Sequence, residues 1–285
     1  MENPLIKQTF ETWGLAFGCL AVAIASPALG VEPHGKEKFS LLNPTPRELW
    51  REVSPDRPDT TESPITVDAG AVQLEMSFID YTRNGDVTVI SAPPFGLKLG
   101  VTNSIDVQLF WDAWVDQDIE GVGSEDAFGD MVLRAKFNLW GNDPGPGDDT
   151  AFAFMPFVKA PTATEDLGNG EVEGGFIFPF LYRMEGASLG LMFETDIVYD
   201  DIDDGYQAEF IHTAVLGFDL TDRLGVYGEY IGNASTNGDD DYRAQVGTGA
   251  TFKLRPDIIL DAGANFGIIG DADDLNLFTG ITVRF

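Results

Sequence analysis

The sequence holds a single cysteine, Cys19, and only two histidines among its 285 residues. One thiol supports neither a disulfide framework nor a multi-cysteine zinc or iron–sulfur site. Basic residues are scarce too: 17 Lys+Arg stand against 47 Asp+Glu, a net charge of −30. A chain so short of cations is unsuited to neutralising phosphates, which argues against nucleic acid as a partner. Long apolar runs are missing as well. The longest, residues 13–25 (WGLAFGCLAVAIA), falls short of the roughly 20 residues that a membrane-spanning helix needs. Beyond residue 70 no stretch sustains a helical period. What is present is a hydrophobic fraction of 44%, which excludes global disorder despite the charge. Plentiful Gly and Phe stand beside the carboxylates, so acid and aromatic surface must be kept apart.

Residues 1–30 read as a secretory signal peptide. Lys7 precedes the apolar run, and small residues from Ala25 to Gly30 follow it, the order of a cleavable leader. Cys19 falls within the segment to be removed. Removal takes Lys7, Glu2 and Glu11 away, so the net charge moves from −30 to −29. Residues 31–69 form a polar, proline-rich N-terminal segment on the periplasmic side, read as an irregular tether with at most a short helix near Pro46. It is a candidate plug for a lumen, in which Arg57, Asp56 and Asp59 would find partners on the wall.

From residue 70 the hydropathy period becomes two. Leu189, Leu191, Phe193, Thr195, Ile197 and Tyr199 alternate with Ser188, Gly190, Met192, Glu194, Asp196 and Val198, and residues 131–139, 242–254, 258–267 and 275–285 alternate in the same way. Successive strand side chains point to opposite faces, so this is the strand signature. Twelve strands are expected, at about 70–82, 93–102, 104–116, 127–140, 150–161, 171–183, 187–200, 205–220, 223–236, 241–254, 257–269 and 274–285. Most are longer than the ~5–6 residues usual in soluble proteins and match the ~9–11 that cross a bilayer at a tilt. Short turns at 102–104, 184–186, 220–222 and 255–256, with a longer link at 141–149, lie at one end. At the other end are acidic loops at 83–92, 117–126, 162–170, 201–204, 237–240 and 270–273.

One face of these strands is Leu, Val, Ile, Phe, Tyr and Ala. The other carries charges from Glu75 and Lys98 through Asp261 to Arg284. Those charges do not fill a dry core, because an unpaired buried ion costs several kcal/mol. The apolar face therefore meets lipid, and backbone groups in lipid are satisfied only in a closed ring. The fold expected is all-β: a transmembrane, antiparallel up-and-down barrel of about 12 strands over residues 70–285, of the Gram-negative outer-membrane type.

The stretch 54–82 carries Asp56-Arg57-Pro58-Asp59, Thr61-Glu62-Ser63-Pro64, Val67-Asp68-Ala69-Gly70 and Gln73-Leu74-Glu75. Further along come Gly129-Asp130-Met131, Arg134-Ala135-Lys136, 156–162 (PFVKAPT), Leu220-Thr221-Asp222-Arg223-Leu224 and Leu260-Asp261-Ala262-Gly263. On these motifs, over about residues 50–285, the chain resembles a family of outer-membrane proteins described as transporters or as meta-pathway phenol-degradation proteins. The resemblance implies an outer-membrane barrel, says little about substrate and carries over no catalytic residue.

The expected function is a channel or transporter passing a small, aromatic or apolar solute by passive diffusion, with no enzymatic activity. Lys98, Arg134, Lys136, Arg243, Glu194 and Asp196 are the candidate path residues. The alternative is a plugged structural or adhesive barrel whose acidic loops bind cations. Asp201, Asp203 and Asp204 are its weak metal candidates, for loosely held Ca²⁺ or Mg²⁺, since Ile202 stands where a calcium loop needs a ligand. Gly186-Ala187-Ser188-Leu189-Gly190 matches the G-x-S-x-G pattern, with His212 as the possible base of a hydrolase, but the strand–turn–helix context is wanting. Partners expected are outer-membrane lipid and lipopolysaccharide, the barrel-assembly machinery through the last strand ending at Phe285, and the solute. The expected location is the outer membrane, after signal removal.

Overall fold

A computed structural model describes residues 35–145, 147–164, 168–200, 204–237 and 242–285. The signal peptide expected at 1–30 lies outside them, as do Asp201 and Asp203. Fifteen strand segments follow in chain order: β1 (Val72–Asn84), β2 (Val87–Ser91), β3 (Pro94–Thr102), β4 (Ile105–Asp112), β5 (Val115–Ile119), β6 (Gly123–Ala127), β7 (Met131–Trp140), β8 (Thr150–Ala160), β9 (Glu173–Met184), β10 (Ala187–Asp200), β11 (Gly205–Asp219), β12 (Leu224–Ser235), β13 (Arg243–Arg255), β14 (Ile258–Ile269) and β15 (Leu275–Arg284). Three pairs, β2–β3, β4–β5 and β6–β7, are single passages interrupted by short bends, so the fifteen segments make twelve passages. Each pairs antiparallel with its neighbour, and β15 pairs with β1 from Gln73↔Arg284 to Arg83↔Leu275. The ring is closed, and it leaves no lipid-exposed edge of unpaired amides.

The structure corrects the expected loops in two places. Residues 83–92 and 117–126 are largely strand: β1 runs on to Asn84, β2 pairs with it, and β5 and β6 extend the same sheet. Gly85 and Gly121, with φ of 54° and 81°, make the turns. These hairpins stand above the apolar band and are polar on both faces, so composition disguised a pattern that Val87, Val89, Val115 and Ile119 still carry. A second irregularity is a bulge in β1 between Ser77 and Ile79. It turns both Phe78 and Ile79 outward, and the inward series resumes at Asp80.

Burial follows the alternation. Gln73, Glu75, Lys98, Asp106, Gln108, Arg134, Lys136, Glu209, Glu229 and Asp261 are buried, while Phe176, Phe193, Leu216, Phe218, Phe252, Phe266 and Leu277 are exposed on the opposite face. A ring with polar residues inside and large apolar residues outside is matched to hydrocarbon as its outer solvent. No helix among the described residues is long and apolar enough to cross a membrane.

Residues 35–71 approach β1 from the same end as the short turns. Apart from the single 3₁₀ turn Arg47–Leu49 they are irregular. Lys36 and Arg51 lie at that rim. The chain then rises among inward-facing side chains to an apex at residues 58–62 and descends to Asp68, where Gly70 and Ala71 hydrogen-bond to Gly100 and Asp68. Ser54 and Ser63 join the two arms through their hydroxyls at 2.7 Å.

Candidate functional site

The lumen is organised in two levels. At the rim, Asn103 in the β3–β4 turn is a polar hub: its side-chain amide donates to the Lys36 carbonyl, its Oδ1 accepts from Thr45 and from the Ala69 amide, and its carbonyl accepts from Arg51, Thr66 and Asn142. Asp143 accepts from Lys36 at 2.7 Å and from Arg51 at 2.6 Å. Burial opposes ionisation of Asp143, but these two cations hold its carboxyl below the ordinary value. Trp50 lies against the guanidinium groups of Arg47 and Arg284.

Higher up, Asp56 sits between two strand lysines. Lys98 on β3 and Lys136 on β7 both donate to it, and Lys98 also pairs with Glu75 at 2.5 Å. Burial alone would push the Asp56 carboxyl up; Lys136 and Lys98 overcome it and hold the group well below the usual carboxylate range. Arg57 makes a two-pronged bond to Asp261 on β14, at 2.8 and 3.2 Å, and a third to Ser77. Such fork geometry fixes direction as well as charge. At the apex, Glu229 on β12 accepts from the Thr60 amide at 2.9 Å and from the Thr61 amide and hydroxyl at 2.8 and 2.6 Å. Glu62 pairs with Arg134 on β7. The segment is therefore bound to β1, β3, β7, β12 and β14, on nearly every side of the ring.

The six candidate path residues divide accordingly. Lys98 and Lys136, each 1% exposed, do not line open space; Asp56 closes over them. Arg134 is taken up by Glu62 and lies over the Phe110 ring at 4.4 Å. Arg243 pairs with Glu209 at 3.0 Å. Glu194 and Asp196 stand above the apex on β10 and make no ion pair among the described residues. Sequence reasoning missed Asn103, Asp143, Glu62 and Glu229 as anchors. Only their inward parity or turn position hints at a role.

Above the apex the inner wall differs from side to side. Val132, Met155, Phe157, Ile177, Met192 and Val198 form an apolar cluster on β7–β10, against which Phe110 and Ile211 pack. On the facing side, at the level of the apex and below it, β13 and β14 carry inward glycines at 247, 249 and 263. A Cβ at Gly249 or Gly263 would lie 2.6 Å from the Tyr227 ring or hydroxyl, so these glycines let Tyr227 lie flat along the wall.

Two other candidates are settled by parity. Ser188 faces inward near the short-turn end, whereas His212 faces outward, where its ring accepts or donates a 2.9 Å bond with Tyr242. His212 pairs with Phe193, five residues from Ser188 along β10, about 17 Å at strand rise. They form no nucleophile–base pair, and Gly186 opens a hairpin rather than a strand–turn–helix. Asp204 is exposed, with φ of 51°, and accepts a hydrogen bond from Tyr199. No group of three or more potential metal ligands is assembled among the described residues.

Comparison with solved structures returns outer-membrane barrels. The COG4313 outer membrane channel from Pseudomonas putida F1 superposes with a TM-score of 0.57 at 13% identity, covering 82% of this chain and all of that one. The NanC porin gives 0.50 at 7% identity, covering 74% of this chain and 98% of that one. At such identities the likeness is one of fold. Comparison with curated protein sequences finds no significant match. The model of one protein family matches residues 55–285, from the segment inside the ring through the last strand. The chain belongs to that family, which is described as "Putative MetA-pathway of phenol degradation".

Proposed function

We propose that the protein is an outer-membrane channel that passes a small solute with an apolar or aromatic body by passive diffusion, and that residues 35–71 act as a plug restricting it. The observation that carries this reading is the position of the segment's apex. It fills the short-turn half of the lumen and stops beneath an inner wall that is apolar over β7–β10. A purely structural barrel has no need of an inward apolar cluster above its plug. The phenol-degradation description of the family supports an aromatic solute. In this reading the short turns face the periplasm, the leader is removed on export, the outer face meets lipid and lipopolysaccharide, and the strand ending at Phe285 is what the assembly machinery engages.

The plugged structural or adhesive barrel is favoured by a different observation, the near-complete burial of the Lys98 and Lys136 anchors. One experiment separates the two. The full mature chain is reconstituted in planar bilayers beside a variant lacking residues 35–69. Channel function predicts conductance and solute flux from the intact chain that rise in the deletion variant. Silence of the intact chain with conductance only after deletion supports the structural reading, and silence of both removes the channel.

A further inference from the structure

We propose that the free edge of β6 is a docking site for a basic polypeptide segment in extended form, which joins the sheet as an added strand. The inference is separate from the channel reading and concerns the hairpins beyond the apolar band. The sheet ends in the order β1–β2–β5–β6, and Gly123–Ala127 pair with β5 alone among the described residues. Below β6 the wall resumes at β7, whose pairing with β8 begins at Met131↔Ala160. Residues 123–126 are exposed. One edge of β6 therefore offers backbone N–H and C=O groups to solvent, the template on which an extended chain adds through main-chain hydrogen bonds.

The side chains decide which chain can add. Tyr81 pairs with Ile90 and Ile90 with Asp116, which continues the outward face onto β5. On that face Asp116 and Asp126 stand directly opposite one another across β5 and β6, with Asp118 opposite Ser124. Glu125, opposite Gln117, holds the other face. Like charges opposed across strands destabilise a sheet, and Asp116, Asp118, Glu125 and Asp126 make no ion pair among the described residues. The β6 edge of a second copy brings the same charge and is repelled. A segment with lysine or arginine brings opposite charge beside Asp126 and Glu125 while its backbone completes the ladder. Edge charge of one sign thus rejects like chains and selects a chain of the other sign. At the tip, next to Gly123, a cleft of about 650 Å³ opens between the β1–β2 and β5–β6 turns, walled by Asp86, Asp118, Glu120 and Val122. It gives room to a basic side chain overhanging the start of β6. The cation on its wall, Arg83, lies 3.9 Å from Asp274.

The probe is an acetylated, amidated heptapeptide alternating lysine and threonine, labelled with a fluorophore and titrated by anisotropy against the mature chain in a neutral detergent. It is expected to bind about tenfold tighter than the same peptide with glutamate for lysine. It should also bind about tenfold tighter than a version methylated at every backbone nitrogen, which keeps the charge and loses the donors. Glu125→Lys with Asp126→Lys should weaken binding about tenfold, whereas Glu185→Lys with Asp222→Lys, the same charge change at the exposed short turns, should leave it as it is. Equal binding of the methylated peptide reduces the contact to charge alone and overturns the added strand. An equal loss in both double variants, no loss in the β6 pair, or no binding of the lysine peptide at all overturns the proposal as well.

Discussion

The short-turn half of the lumen and the half beyond the apex are built from the same residue types with opposite bookkeeping. In the lower half, wall and inserted segment meet as opposite charges: Lys98 and Lys136 meet Asp56, Arg57 meets Asp261, Arg51 and Lys36 meet Asp143. In the upper half Lys159 is shared by Glu173 and Asp130, Arg243 serves Glu209, and Glu194, Asp196, Asp80 and Asp112 make no ion pair among the described residues. The lower half is matched because its partner, the segment 35–71, is part of the chain and always at hand. The upper half keeps more carboxylates than cations to meet them. Charge that looks balanced along the whole inner face is thus sorted by height.

The largest effect that tests this contrast comes from Asp56→Asn. It strips two buried lysines of their shared partner, and breaking such a buried pair costs about 3–5 kcal/mol. Expected are a lower denaturant midpoint for the plug, read by Trp50 fluorescence, and a rise in conductance. Unchanged conductance and midpoint would remove the distinction between the halves. The upper-half counterpart, Asp196→Asn, should act with the opposite sign. It removes a buried acid crowded against Glu194 and Glu209 and is expected to stabilise the barrel by about 1 kcal/mol, measured as a shift in heat-modifiable gel migration.

The smallest effect is one of pH. Burial and the nearby Asp56 push the Glu62 carboxyl up to about 8 against the pull of Arg134, from 4.5 when free. Burial and Glu229 raise Asp59 in the same sense. Docking of the plug therefore takes up protons between these limits: seating is firmest near the low end of the window and weakens as pH rises through it. Asp56, held low, acts with the opposite sign but only in stronger acid. Conductance should climb modestly between about pH 5 and pH 8.5, and Glu62→Gln should flatten the climb. A climb that persists in that variant would assign it to the upper carboxylates instead.

The barrel was legible because strand parity is a local property. Leu191, Phe193 and Ile197 declare their face within a few residues, whatever they later pair with. The extended hairpins β2 and β5–β6 were missed because their residues above the membrane are polar on both sides, which removes the contrast that parity reading needs. The plug contacts were illegible for a different reason. Arg57 and Asp261 are 204 residues apart, and Thr61 and Glu229 are 168 apart. No period in the chain links them; only closure of the ring brings them opposite one another. The unmatched state of Asp196 is hidden in the same way, since it depends on where Arg134 and Arg243 are already engaged.

The hairpin-like course of residues 35–71 has a topological consequence. Its described ends both lie at the short-turn rim, one beside Asn103 and the other leading into β1 at the seam with β15. Such a loop is inserted without being threaded. No chain end has to pass through the wall for it to leave, and no strand of the ring has to unpair. Leaving the lumen would exchange only bonds to wall side chains along residues 51–67, while the backbone bonds of Leu41 to Val101 and of Gly70 to Gly100 keep both ends at the rim and the barrel stays closed.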